Sequence, residues 1–481
     1  MRWLVLLAAC GCAAAYAQTG AAEVGQPSAD PVDVGRQYQS EQHWEQGRNL
    51  GQDMPPPVAA GSLPAAADKR LAPLEYSVNQ ALLNAHWDNL AVLLPAYRKL
   101  PQHDPILYAY AQGALLRHQK KLPQALALYA DIVRQHPEWE RPGVEYGVML
   151  FENRQYREAE RQFRAVLPQL EGDIRQVVER YLNHIAEAQT WQPQLSLNYE
   201  ATDNVNNASS STEIVGANGR RWKRSEDSLP QSATGFGYRA GVSREYNAAG
   251  NHYIGGQVSA SGVHYWDNSR YNEQSFYGGA DYRYRTAAAS KGLRAFAAHN
   301  RLGGHGYSNQ AGWRAEYYRH NDNRLQWSID GGCVHKYYLE QSLAERYNGR
   351  LCDAEAGLTY RPVSAVRLTT GIHAGRDKVR DNSESSDRKG VYAAAAYAKS
   401  GLGGSVYFRY TDRRFDAPYF FKGYVRQDKE YRLNAAVWHR KVSAYGWVPK
   451  LNYRHTEIRS NMPDLYARKS HAWFVTVEKM F

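Results

Sequence analysis

His471-Ala472-Trp473-Phe474-Val475-Thr476-Val477-Glu478-Lys479-Met480-Phe481 is the stretch on which the reading of this chain turns. Side chains on a strand point alternately to opposite faces. Trp473, Val475, Val477 and Phe481 therefore share one face, while Thr476 and Glu478 lie on the other. Working back from it, residues 194–481 repeat that device about fourteen times, in segments of roughly ten residues closed by Gly, Asn, Asp or Ser, the pattern of membrane β-barrel strands.

The connectors between these segments alternate in length. Short ones fall at 247–251, 287–291, 321–323, 361–364, 400–402 and 441–447. Longer ones fall at 204–231, 267–272, 303–309, 338–349, 377–387, 413–426 and 458–469. Periplasmic turns and extracellular loops divide in this way, and an even strand count puts both barrel ends in the periplasm. Closure is required, because an unpaired amide in hydrocarbon costs several kcal/mol. Leu197, Tyr199, Phe236, Val258, Trp327, Ile329, Leu368, Phe408 and Leu451 are expected on the lipid side. The alternate positions, Arg239, Arg283, Arg314, Arg367, Arg409, Arg432 and Arg454 with Lys450, Glu200, Asp281 and Glu316, are expected to line a polar, mostly basic lumen.

Composition agrees with this division. Tyr 36 and Trp 12 against Phe 11 is a balance weighted toward amphipathic aromatics, which settle where apolar and wet regions meet. A Tyr-rich soluble sandwich is the other source of such a balance. The formal charge of +11 suits anionic lipid or nucleic acid, but charge alone specifies neither fold nor partner, and no nucleic-acid partner is expected.

The N-terminal third differs in period. Residues 1–17 read as a secretory signal peptide: Arg2, an apolar run, then Ala15-Tyr16-Ala17 as the cleavage site. Leu7-Ala8-Ala9-Cys10 also reads as a lipobox that would leave Cys10 lipidated. Residues 18–70, rich in Ala, Gly, Pro and Gln, read as a disordered tether. Residues 71–191 have period 3.6 and a self-similarity of 34 positions: Gly113, Ala125 and Tyr129 recur as Gly147, Ala159 and Phe163. Those are the small and aromatic packing positions of tetratricopeptide helix pairs, whose arrays present binding surfaces. Residues 78–97 read as a degenerate earlier repeat and 173–189 as a capping helix. An ordinary helical bundle is the alternative.

Cys333 and Cys352 flank the 338–349 loop. In an oxidising compartment they would close about twenty residues, worth roughly 3 kcal/mol in the chain-entropy model. The other reading is two unpaired small apolar residues against lipid. No phosphate-cradling Gly loop, His-Glu-x-x-His, zinc-spaced cysteines or Gly-x-Ser-x-Gly elbow occurs. Catalysis, cofactors and metals are not expected.

The chain therefore reads as an α+β multidomain protein: α-helical tetratricopeptide repeats, then a transmembrane antiparallel β-barrel over 192–481. This architecture resembles the surface lipoprotein assembly modulator family. The segment Asp203-Asn204-Val205-Asn206-Asn207-Ala208 is similar to an Asn-rich segment at the same point in that family. The aromatic end at Phe481 resembles the signature read by barrel-insertion machinery, with Lys479 departing from it. The resemblance implies an outer-membrane translocator with periplasmic repeats, and clients that are surface lipoproteins or secreted proteins. A periplasmic chaperone, the insertion machinery and outer-membrane lipid are the further partners implied. A polysaccharide export porin with a helical-repeat scaffold is the alternative.

Overall fold

The computed structural model describes residues 73–321, 324–443 and 447–479. The leader with Cys10, the tether and Phe481 lie outside the described residues.

Helices come first, as antiparallel pairs: α1 (Pro73–Leu83) with α2 (Trp87–Arg98), α3 (Pro105–His118) with α4 (Leu122–Gln135), and α5 (Glu140–Glu152) with α6 (Tyr156–Val166). A final helix, α7 (Gly172–Ala188), closes the stack. The start of α3 shows the local logic. Asp104 accepts from the Ile106 and Leu107 amides at 2.7 and 3.3 Å, and Pro105 occupies a position whose amide would have had no partner. The apolar faces merge into one core containing Leu82, Leu94, Tyr110, Phe151, Phe163 and Tyr181, all almost fully buried.

The strands follow: β1 (Gln192–Thr202), a two-stranded hairpin of β2 (Glu213–Val215) and β3 (Arg221–Lys223), then β4 (Ala233–Ala249), β5 (His252–Tyr265), β6 (Glu273–Arg285), β7 (Ala289–Leu302), β8 (His305–His320) and β9 (Leu325–Tyr338). A short helix, α8 (Gln341–Tyr347), precedes β10 (Gly349–Tyr360), β11 (Val366–Val379), β12 (Ser386–Lys399), β13 (Leu402–Pro418), β14 (Val425–His439) and β15 (Trp447–Ser460). The turn α9 (Pro463–Tyr466) precedes β16 (Arg468–Lys479). All but β2 and β3 form one closed barrel in which each strand pairs antiparallel with its neighbour in sequence, and β1 returns to β16. Leu197 faces both Tyr238 and Val477 across the closing strands, so the outward apolar row continues through the closure.

Two features correct the expected connectors. Residues 303–309 are not a long loop: Gly303 and Gly304, at φ +57° and +85°, make a two-residue turn, and β8 begins at His305. Positive φ at both central positions matches the twist of a tight hairpin, which the glycines permit without strain. Residues 204–231 and 338–349, by contrast, carry their own elements, β2 with β3 and α8. On the opposite rim, Ser400 and Gly401 repeat the positive-φ turn between β12 and β13.

Candidate functional site

The inward face of the barrel is set by register. Arg239 lies opposite Ser196, Arg409 opposite Tyr392 and Arg432, Arg367 opposite Ala396, and Arg454 opposite Asn434, all on the face away from Leu197, Ile329 and Val437. The lining is not a bare basic surface. Arg283 contacts Glu316 at 2.9 Å, Asp281 at 3.2 Å and Glu245 at 3.5 Å, and Arg294 joins Asp281 at 2.8 Å. Arg314 pairs with Asp330 and lies 3.4 Å from Asp353. Arg409 meets Glu355 at 2.8 Å, and Arg454 lies 3.7 Å from Glu200. The expected mostly basic lumen is thus a ladder of both signs. Alternation identifies which residues point inward, but the partner of each charge sits on another strand, at a register that one segment does not state. Glu245, Asp330, Asp353 and Glu355 are among the inward carboxylates that the sequence reading did not name.

The repeat positions pack as the spacing implies. A Cβ built on Gly113 would stand 2.6 Å from the Tyr129 ring, and one on Gly147 2.5 Å from the Phe163 ring. Ala125 and Ala159 are fully buried. Only hydrogen at Gly113 and Gly147 leaves room for the aromatic of the second helix. The repeats differ in one atom that matters: Tyr129 has a hydroxyl where Phe163 has none. That hydroxyl donates to Glu145 Oε2 at 2.8 Å, and Tyr110 donates to Glu145 Oε1 at 2.8 Å. Burial pushes the Glu145 carboxyl above its ordinary range, against the two hydroxyls and Arg117 and Arg141, which pull it down. A buried Glu among Val144, Val148 and Met149 gave no signal by pattern; the paired hydroxyls of Tyr110 and Tyr129 were the available clue.

The helical unit is bonded to one arc of the barrel rim. The last carbonyls of a helix have no partner within it. Here Asn153 O, at the end of α5, accepts from Asn251 Nδ2 at 2.5 Å, and Arg154 O accepts from the Tyr253 hydroxyl at 2.5 Å. At the start of α6 the Arg157 amide donates to Asn247 Oδ1 at 2.8 Å, and Glu158 accepts from the Gly250 amide at 2.9 Å. Gln189, after α7, accepts from the Asn247 amide at 3.0 Å through its side chain. Asn247, Asn251 and Tyr253 are buried, and Tyr253 belongs to the helical core itself. These contacts fall on the β4–β5 hairpin, and on the β6–β7 turn the Ala287 amide donates to Asn153 Oδ1 at 3.4 Å; both turns lie on the side of the barrel where both of its chain ends lie.

The other rim is tied by the Asn-rich segment. Asn204 donates to Ala208 O at 2.9 Å and Lys469 O at 3.0 Å, while Asp203 accepts from the His471 amide at 2.8 Å. Asn206 bridges Leu229 O and the Gln231 amide. The loop after β1 is thereby fastened across the closure between β1 and β16. Further along the same rim, Lys422 pairs with Asp464 and donates to Val215 O at 2.6 Å. Burial pushes the Asp464 carboxyl up, but Lys422 and the Val215 amide together hold it below its usual range. Cys333 and Cys352 are joined by a disulfide on the outer wall, in register between β9 and β10.

A family model described as surface lipoprotein assembly modifier matches residues 191–481, and one described as that family's N-terminal TPR repeats matches residues 66–163. The chain belongs to the surface lipoprotein assembly modifier family. It is similar to surface lipoprotein assembly modifier 1 of Haemophilus influenzae, at 26% identity over 83% of each chain. Surface lipoprotein assembly modifier 1 of Neisseria meningitidis serogroup B is 24% identical, over 85% of this chain and 83% of that one. The hemophilin secretion modulator of Acinetobacter baumannii is 23% identical, over 85% and 88%. This chain is an outer-membrane β-barrel preceded by helical repeats on the periplasmic side.

Proposed function

We propose that this chain delivers client proteins, foremost surface lipoproteins, from the periplasm to the cell surface. Membership of the assembly modifier family supports that reading, together with one observation of geometry: the helical array is hydrogen-bonded to the periplasmic rim through buried groups and does not hang from a single linker. A client segment held by the array is thereby held at a fixed offset from the lumen. The charges of both signs along the lumen offer an unfolded chain partners for either sign, without one strong site from which it would not leave. No hydrolytic step is invoked; folding on the outside makes return unfavourable. A periplasmic chaperone supplies the client unfolded, and the barrel-insertion machinery places the barrel, reading Phe481.

Protease shaving of cells with and without the protein tests this. Loss of an exposed lipoprotein in the second supports the proposal, and loss of extracellular glycan in its place sinks it. Removing residues 73–190 is expected to abolish or weaken display while the barrel still inserts. Undiminished display after that deletion argues against any receiving role for the helices.

A further inference from the structure

Two of the extracellular connectors fold into the lumen. Val263 and Tyr265 on β5 lie opposite Gly237 and Gly235 on β4, in phase with Arg239, and so point inward. Ala233 shares that phase. Val205, in the connector after β1, is buried against Ala233 and Tyr265, with Val263 beside them. This connector therefore passes from the rim to the inside of the wall. On another arc, Arg426 continues the inward row of Arg432, and Phe415 that of Arg409. The Arg426 guanidinium lies 4.4 Å from the centre of the Phe415 ring and 3.4 Å from that of Tyr466, on α9 between β15 and β16. Arg426 is 2% exposed, and Met462, just before α9, is fully buried. The α9 turn is thus seated on the inner face as well.

One buried ion pair joins these two connectors to a third. Lys422, between β13 and β14, is 8% exposed, pairs with Asp464 of α9 and donates to Val215 O of β2 at 2.6 Å. The Val215 amide donates to the same carboxylate at 2.8 Å. The Ser209 hydroxyl donates to Pro463 O at 2.9 Å, and the Ala217 amide to Phe421 O at 3.0 Å. The connectors that follow β1, β13 and β15 therefore share one knot, which reaches over the closure between β1 and β16.

We propose that these three connectors are an outer gate: at rest they narrow the extracellular end of the lumen, and a client passes only after the knot around Lys422 comes apart. The proposal takes what passes from the delivery reading above and adds the state of the pore at rest. The chemistry suits a joint that opens. In a buried ion pair the cost of desolvation offsets much of the attraction, so the pair contributes little net stability. When the connectors swing outward, Lys422 and Asp464 regain their hydration, whereas an apolar joint would have to expose its surface to water. The contacts of the knot lie between connectors, so the barrel ladder that closes the wall in lipid need not break for the gate to move.

The test locks the gate in the full chain in the outer membrane, with Ala217→Cys and Gly423→Cys together. A Cβ built on Gly423 stands 3.7 Å from the Ala217 Cβ, within the ~3.5–4.5 Å of disulfides. At φ +73° a side chain on Gly423 is strained, so the same double variant is compared oxidised and reduced, beside each single variant and the unaltered chain under the same treatment. Oxidation is expected to lower client display several-fold in the double variant alone, and reduction to restore it. Equal display in both states, with the bond verified by gel shift, overturns the gate. Conductance of the purified full chain in planar bilayers gives a readout without a client. Lys422→Ala is expected to open several-fold more often than the unaltered chain, and the oxidised double variant less often than its reduced form. An unaltered chain that conducts as freely as Lys422→Ala overturns the proposal. If the unaltered chain displays no client, the delivery reading fails while conductance still decides the gate, so the two failures are told apart.

Discussion

The two halves of this protein place the same kinds of side chain in opposite directions. In the helical unit Tyr110, Tyr129, Phe151 and Phe163 are buried, and charge is mostly outside; Glu145 is the exception, held by two hydroxyls. In the barrel Trp313, Trp327, Ile329 and Trp473 face out, and Arg283, Arg314 and Arg409 face in. Water drives the first arrangement, since apolar area removed from it is worth roughly 25 cal/mol per Å². Lipid permits the second, because the amides are satisfied by the closed ladder and the charges by one another. Stability in the helical unit therefore rests on packing, and in the barrel on pairing.

The largest expected effect breaks packing on one side only. Phe163→Ala empties the space that Gly147 leaves for the ring and should cost the helical unit about 3–5 kcal/mol. Urea unfolding followed by helical circular dichroism reads this, while the barrel keeps its resistance to detergent at room temperature. A matching loss of barrel resistance would mean that the two halves fold as one unit and that the contrast is false. Arg314→Ala probes pairing. It leaves Asp330 and Asp353 without that arginine, as neighbours on the adjacent strands β9 and β10, and should cost the barrel about 2 kcal/mol, in the range of charge-assisted hydrogen bonds. A lowered urea midpoint for loss of the heat-modifiable form, with helical unfolding unchanged, is the expected result.

The smallest effect is a pH dependence confined to the helices. The Glu145 carboxyl is raised above its ordinary value of 4.5 in the folded chain. Its stabilising contribution is therefore complete below that value and is lost as pH rises through the folded one. Relative to Glu145→Gln, the unaltered helical unit should gain stability as pH falls from neutral toward the ordinary value. A difference between the two that does not change with pH would show that Glu145 does not titrate in this window.

Much of this was legible because period is a local property. Strict alternation placed Leu197, Ile329 and Leu451 outside and the seven lumen arginines inside. The 34-position echo brought Gly113 to Tyr129 and Gly147 to Phe163. What stayed illegible depends on residues far apart in sequence. Asp330 acquires meaning through Arg314 on the neighbouring strand β8, Asp353 through the same arginine two strands away, and Asn251 through a carbonyl at Asn153. The loop at 303–309 was misjudged for another reason. Gly-rich sequence suits both a long loop and a tight turn, and only the φ values at Gly303 and Gly304 decide between them.

The disulfide between Cys333 and Cys352 carries a statement about timing. Both sulfurs sit on the wall that faces acyl chains, in the row that holds Trp313. Thiol oxidation proceeds through the thiolate, an ion that hydrocarbon does not support. The bond is therefore expected to form before the barrel enters the bilayer, with β9 and β10 reaching the membrane as a covalent hairpin.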